Sequence, residues 1–330
     1  MQRRPGPSLI GGAPLSAFDE EEVLARILPH FPLAAGLIVP PGDDAAVLAT
    51  GPRTIATTDT VVLGRDWLDA WSSGADIGHK VIVQNLADVA AMGGRPTGVL
   101  VTLVADPETS IDWVLDLAKG VAQACRDAGV GVLGGDLSSA PRGVVMVSVT
   151  ALGNLEGEPV LRSGARPGDV VAVNGPLGLA AGGLQLLRVG TPDLHPEAVA
   201  RQRRPRSPLQ AGVEAAAAGA TAMLDISDGL LRDGGRIARA SGVVIEIEAA
   251  GIAADIAALA DALGSDVARD CVLAGGEEHS LLATFPPGRM PRGWRPIGTA
   301  RAAGSGEKPR ILVDGQVHTH TGWDHFHPDT

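Results

Sequence analysis

With 330 residues, 45% of them hydrophobic and 20% charged, the chain is long enough for two domains of ordinary size, each burying its own core, and has the balance of a folded protein. A formal charge of −11 argues against a nucleic-acid partner, because phosphate backbones attract basic patches, and it suits a protein that recruits divalent cations. The longest apolar candidate, residues 81–105, is broken by Asp88 and Arg95, so no membrane partner is expected.

Arg3 and Arg4 lead into Pro5 and Gly6 rather than an apolar run, which does not read as a signal peptide. Cys125 and Cys271 lie far apart without CxxC spacing, as structural thiols of a reducing, cytoplasmic compartment do. Ser16, followed three residues on by Asp19, predicts a capped helix over 20–28. Apolar runs at 45–48 and 54–58 read as strands after the Pro40-Pro41-Gly42 turn. Helical periodicity over 74–92 places Asp88 one turn after Gln84 on the same side. A strand at 99–104, a helix at 111–128, a strand at 130–133 that stops at Gly134-Gly135 and a strand at 144–152 complete the first half. The second half predicts strands at 170–173, 222–224 and 243–247, and helices from 179, over 210–218 and over 229–240. Both halves read as α/β, and the polar stretch 153–157 marks the boundary between a domain at 1–155 and one at 156–330.

Six aspartates, Asp44, Asp59, Asp88, Asp136, Asp225 and Asp228, sit beside glycines or at the ends of apolar runs. Carboxylates brought together repel one another and resist desolvation unless cations neutralise them. Oxygen-only ligands select Mg²⁺, which keeps waters and bridges to substrate phosphates. No GxxxxGK[ST] loop is present, so a phosphate-transferring enzyme built on this chain must rely on metal ions for that cradle.

Seven motifs occur in order: Gly42-Asp43-Asp44, Thr57-Thr58-Asp59, Asn85-Leu86-Ala87-Asp88, Gly134-Gly135-Asp136, Arg162-Ser163-Gly164, Asp225-Ile226-Ser227-Asp228-Gly229 and Gly275-Gly276-Glu277. Together they resemble the motif set of thiamine-monophosphate kinases, within the aminoimidazole-ribonucleotide synthetase-like superfamily of ATP-binding enzymes. The resemblance implies a two-domain α/β (α+β) fold. Its N-terminal ATP- and Mg²⁺-binding domain pairs with its twin in a homodimer, and its C-terminal α+β domain closes over the site. It also implies ATP and thiamine monophosphate as substrates, several Mg²⁺ ions, and thiamine diphosphate as product.

By the same resemblance Asp44, Thr57, Thr58, Asp59, Asp88, Asp136, Asp225 and Asp228 are expected around metal ions, with Asp44, Asp88 and Asp225 central to catalysis. Gly135, Asp136, Arg162 and Ser227 are expected to face ATP, and Asp66, Glu277 and Trp323 the acceptor. An indole face and a carboxylate both suit a cationic thiazolium. Three positions depart from the family pattern: Asp66 stands where many members carry His, Glu278 replaces an Asp, and His279-Ser280 replaces Tyr-Glu. An acceptor that is already an ionised phosphate needs no general base.

Other readings stay open on residues alone. A selenophosphate synthetase would need a reactive Cys near the N-terminus, and a hydrogenase-maturation protein one at the C-terminal end; neither is here. An aminoimidazole-ribonucleotide synthetase-like enzyme, or a non-enzymatic divalent-cation-binding module, are the remaining alternatives.

Overall fold

A computed structural model describes residues 8–9, 11–40, 45–319 and 322, so Asp44 and Trp323 lie outside the described residues. The chain forms two compact units, one of Met1–Val89 with Pro96–Glu156 and the other of Ala90–Arg95 with Gly157–Thr330.

The first unit opens on helix α1 (Glu20–Ile27). Its cap is Asp19 rather than Ser16: Asp19 Oδ1 accepts from the Glu22 N–H, and Glu22 Oε2 accepts from the Asp19 N–H, closing a capping box. Two short strands, β1 (Leu37–Val39) and β2 (Val47–Leu48), pair antiparallel. Then follow β3 (Thr54–Val62), α2 (Gly74–Ala91), β4 (Arg95–Ala105), α3 (Ile111–Ala128), β5 (Gly131–Ser139) and β6 (Val145–Asn154). The sheet has the order β3-β6-β4-β5, antiparallel between β3 and β6 and parallel between β4 and β5.

Helix α3 shows why these elements form where they do. Ser110 caps its first turn by accepting from the Asp112 N–H, and Gly129 ends it in the left-handed region at φ 69°. Between the caps Trp113, Val114, Leu117, Val121 and Cys125 form a buried stripe. Strand β5 departs from expectation. It does not stop at Gly134-Gly135 but runs through both to Ser139, with a register shift opposite Val99 and Leu100.

The second unit holds β7 (Val170–Asn174), α4 (Leu179–Arg188), α5 (Pro196–Arg203), α6 (Leu209–Ala218), β8 (Ala222–Asp225), α7 (Leu230–Ser241) and β9 (Val243–Ile247). It continues with α8 (Ala249–Leu263), α9 (Ser265–Ala274), β10 (Leu281–Phe285), β11 (Arg295–Ala302) and β12 (Arg310–Val313). Its six strands order as β12-β9-β11-β7-β10-β8, antiparallel except for β12 with β9. β8 and β10 are buried along their whole length, so neither alternates exposed and covered residues. Val171, Leu224, Ile237, Ile245, Leu282 and Ile297 belong to one core between this sheet and its helices. The register sets Asp225, the last residue of β8, opposite Leu281, the first of β10.

Candidate active site

In the first unit, β3 alternates exposed and covered residues, so Thr57 and Asp59 share the inward face. The Thr57 hydroxyl donates to Asp88 Oδ2 at 2.8 Å, joining the middle of β3 to the last turn of α2. Thr58 points the other way. Its hydroxyl donates to the Val149 carbonyl at 3.0 Å and accepts from Thr150 at 3.1 Å, both on the neighbouring strand β6. Thr57 and Thr58 thus present their hydroxyls to opposite faces of the strand.

Asp136 lies within β5, opposite Thr102, and accepts from the Ser138 hydroxyl at 2.8 Å on the same strand face. Gly135 beside it is required by β4: a Cβ there would sit 1.8 Å from the Val101 carbonyl oxygen. Gly135 and Asp136 also line a cavity of about 620 Å³ whose other walls are mostly apolar, including Leu24, Phe31, Leu103 and Val121. Asp66 closes a tight turn after β3 by accepting from the Val62 N–H at 2.7 Å.

In the second unit, β8 ends on the buried Asp225, and Asp225 Oδ2 lies 3.0 Å from His279 Nδ1. The next residues form a loop whose three N–H groups, of Ser227, Asp228 and Gly229, all donate to Asp233 Oδ2 at 2.9 to 3.1 Å. Asp233, in the first turn of α7, therefore gathers the amides of the loop that precedes the helix. Ser227 makes no side-chain hydrogen bond among the described residues, while its carbonyl accepts from the Glu277 N–H at 2.8 Å. Sequence reasoning passed over Asp233. The signal was an acidic residue in the first turn of α7, where a carboxylate can reach back to loop amides. Burial pushes its carboxyl up to about 7, against the opposing pull of the Arg236 guanidinium.

Asp228 pairs with Arg236 and lies 3.6 Å from Arg232 Nε, so its charge is balanced by arginines within its own unit. Glu277 and His279 flank Glu278 in left-handed conformations, φ 61° and 55°. Gln202 Nε2 approaches Glu277 Oε2 at 3.5 Å. Glu278 is turned into the scaffold: its carboxylate takes the Arg201 Nε at 2.8 Å and the Ala180 N–H at 2.9 Å. Burial pushes that carboxyl up while Arg201 pulls it down. Arg162 is exposed, and its carbonyl accepts from the Ser241 hydroxyl at 3.0 Å. Gly322, the residue before Trp323, lies so close to the Asp228 carbonyl that a Cβ would fall 2.2 Å from it.

Among the described residues no three His, Cys, Asp or Glu side chains gather closely enough to hold a metal ion by themselves. Mg²⁺ is commonly held by one or two carboxylates, with the remaining positions taken by water and substrate phosphates. Asp225 could supply one such carboxylate oxygen. One of its oxygens is engaged by His279, and no other side-chain hydrogen bond is made by it among the described residues.

Two domain families match this architecture, the AIR synthase related protein N-terminal domain over residues 42–155 and the AIR synthase related protein C-terminal domain over 166–290. The fold and site thus define an AIR synthase related protein of two mixed α/β domains. Within that class the chain is 42% identical, over 94% of its length and 93% of the relative's, to the thiamine-monophosphate kinase of Mycobacterium tuberculosis. It superposes on the crystal structure of thiamine-monophosphate kinase from Stenotrophomonas maltophilia K279a with a TM-score of 0.76 and 30% identity, covering 90% of this chain and 96% of that one. A second solved structure, AaThiL complexed with AMPPCP and TMP, matches with a TM-score of 0.75 and 30% identity, covering 83% and 87%. The chain belongs to the thiamine-monophosphate kinase family.

Proposed function

We propose that this chain phosphorylates thiamine monophosphate to thiamine diphosphate at the expense of ATP, by direct in-line transfer. A terminal oxygen of the acceptor phosphate forms a bond to the γ-phosphorus of ATP as the bond from that phosphorus to the bridging β–γ oxygen breaks, releasing ADP. The acceptor oxygen is already ionised, so no side chain has to remove a proton. What carries the reading is likeness over nearly the whole chain to a thiamine-monophosphate kinase at 42% identity, joined by a solved relative holding an ATP analogue and TMP.

Asp44, Thr57, Asp59, Asp88, Asp136, Asp225 and Asp228 are the proposed ligands for Mg²⁺, directly or through water. When bound, Mg²⁺ neutralises charge on the β and γ oxygens and aligns them for displacement. Thr57 orients Asp88, and Gly135, Asp136, Arg162 and Ser227 face the nucleotide, Arg162 with its fixed fork of donors. The Ser227 hydroxyl, which makes no hydrogen bond among the described residues, would donate to a phosphate. Asp228 gives up or shares its arginine pairing to reach a cation. Asp66, Glu277 and Trp323 are the proposed contacts of the acceptor. We further propose a cytoplasmic homodimer.

Purified protein incubated with thiamine monophosphate, ATP and Mg²⁺ should yield thiamine diphosphate and ADP in equal amounts. Mg²⁺ binding with neither ATP binding nor product would instead leave a cation-binding module. Replacing Trp323 by Ala should raise the Michaelis constant for thiamine monophosphate roughly five- to thirtyfold and leave that for ATP little changed.

A further inference from the structure

Two segments of the second unit meet at Asp225. β8 delivers its carboxylate at the strand end, and the loop 275–280 runs back beside it. The Glu277 N–H donates to the Ser227 carbonyl at 2.8 Å, the His279 N–H to the Ile226 carbonyl at 2.9 Å, and the Ile226 N–H to the Ser280 carbonyl at 2.8 Å. Glu277 and His279 both take up left-handed backbone, φ 61° and 55°, a conformation that non-glycine residues keep only where the surroundings impose it. Glu278 between them supplies that imposition through Arg201 and the Ala180 N–H.

The consequence is the placement of one imidazole. His279 is 5% exposed and Asp225 8%, and 54 residues of sequence separate them, yet Nδ1 and Oδ2 are 3.0 Å apart. An ionised carboxylate only accepts, so Nδ1 carries the proton and donates. Asp225 has no other side-chain hydrogen bond among the described residues, which leaves Oδ1 for another partner. A carboxylate held at one oxygen has lost most of its rotational freedom, and its second oxygen points in one direction.

We propose that His279 is a positioning residue. Its Nδ1–H locks Asp225 Oδ2 and so presents Oδ1, already ordered, to the divalent cation that accompanies the ATP phosphates. The inference rests on the kinase reading and deepens it: His279 supplies a donor that orients a metal ligand. Outer partners of ligating groups commonly change metal affinity 10- to 100-fold when removed.

The test compares His279→Gly, which tolerates the left-handed backbone while removing the donor, with His279→Asn, which tolerates it and keeps a short N–H donor. Mn²⁺ is titrated into each protein in the presence of a non-hydrolysable ATP analogue and followed by electron paramagnetic resonance. Melting temperature without metal and the Mg²⁺ dependence of turnover are measured beside it. His279→Gly should raise the Mn²⁺ and Mg²⁺ midpoints roughly tenfold, with the rate recovering at saturating Mg²⁺ and the Michaelis constant for thiamine monophosphate unchanged. His279→Asn should stay near wild type. A lowered melting temperature in His279→Gly with unchanged metal midpoints would make the contact purely structural and overturn the proposal. So would an Asp225→Asn protein whose Mn²⁺ midpoint equals wild type, because His279 would then have no ligand to orient. A wild-type protein that binds Mn²⁺ but forms no thiamine diphosphate would sink the kinase reading, while a shifted midpoint in His279→Gly would still support the positioning role.

Discussion

Thr57 on β3 donates a hydrogen bond of 2.8 Å to Asp88 on α2, tying together two residues 31 apart in sequence. The bond fixes one carboxylate oxygen of Asp88 against the strand. Asp88→Asn should abolish turnover while leaving the fold intact. Thr57→Val keeps most of the side-chain volume and loses the donor, so it should cost about 1 kcal/mol of stability and raise the Mg²⁺ needed for half-maximal rate. Urea unfolding and a Mg²⁺ titration of the rate check both. Near-normal activity of Asp88→Asn at ordinary Mg²⁺ would remove Asp88 from the ligand set.

What could be read from the sequence was mostly local. The bounds expected for α3 and β9 are the observed ones, because Ser110 and Gly129 bracket an amphipathic stripe and an apolar β-branched run has a length of its own. The extension of β5 through Gly134-Gly135 was hidden, since two glycines read locally as a turn, whereas parallel pairing of Val101 with Gly135 and Thr102 with Asp136 is a long-range event. The facing of Thr58 away from Thr57 was legible in principle, as both lay in a predicted strand of period two. The pairing of Asp228 with Arg236 and of Asp225 with His279 was not, because each depends on how a loop returns to a strand end. Motif order carried the family, and the partners of each motif residue came only with coordinates.

Glu278 shows what that distinction means for a departure from the family pattern. Its carboxylate is turned into the scaffold, engaged by Arg201 and the Ala180 N–H. Glu278→Gln would leave the Arg201 guanidinium, 11% exposed, without its counter-charge, and should cost about 3 kcal/mol. Arg201→Met combined with Glu278→Gln should recover part of that loss, a coupling that a double-mutant cycle in urea measures directly. Additive losses would mean that the pair is not a clamp.

Transfer should proceed without a phosphoenzyme. The acceptor phosphate is itself the proposed nucleophile, and no serine of the sequence sits in a GxSxG turn. Protein incubated with γ-labelled ATP in the absence of acceptor should carry no stable label. Label that accumulates and then disappears on addition of thiamine monophosphate would overturn direct transfer.

The two thiols make a prediction about pH that is independent of the active site. Cys125 in α3 and Cys271 in α9 are buried, and burial pushes them up to about 12 and about 11. In the unfolded chain both ionise near pH 8.5 to 9, so above that range the unfolded state sheds protons that the folded state keeps. Stability contributed by the neutral thiols is therefore full below about pH 8.5 and is lost as pH rises towards the folded values. By about pH 10 the loss should be roughly 1.5 to 2 kcal/mol for each thiol. Urea unfolding at about pH 8 and about pH 10 should show a steeper alkaline decline in the parent protein than in a Cys125→Ala, Cys271→Ala variant, whatever the packing cost of the substitutions. Native protein should also resist a disulfide-exchange reagent at about pH 8 and release two equivalents of thiol only on unfolding. Fast labelling of the folded protein, or equal pH slopes in parent and variant, would show that the thiols are not held neutral in the core.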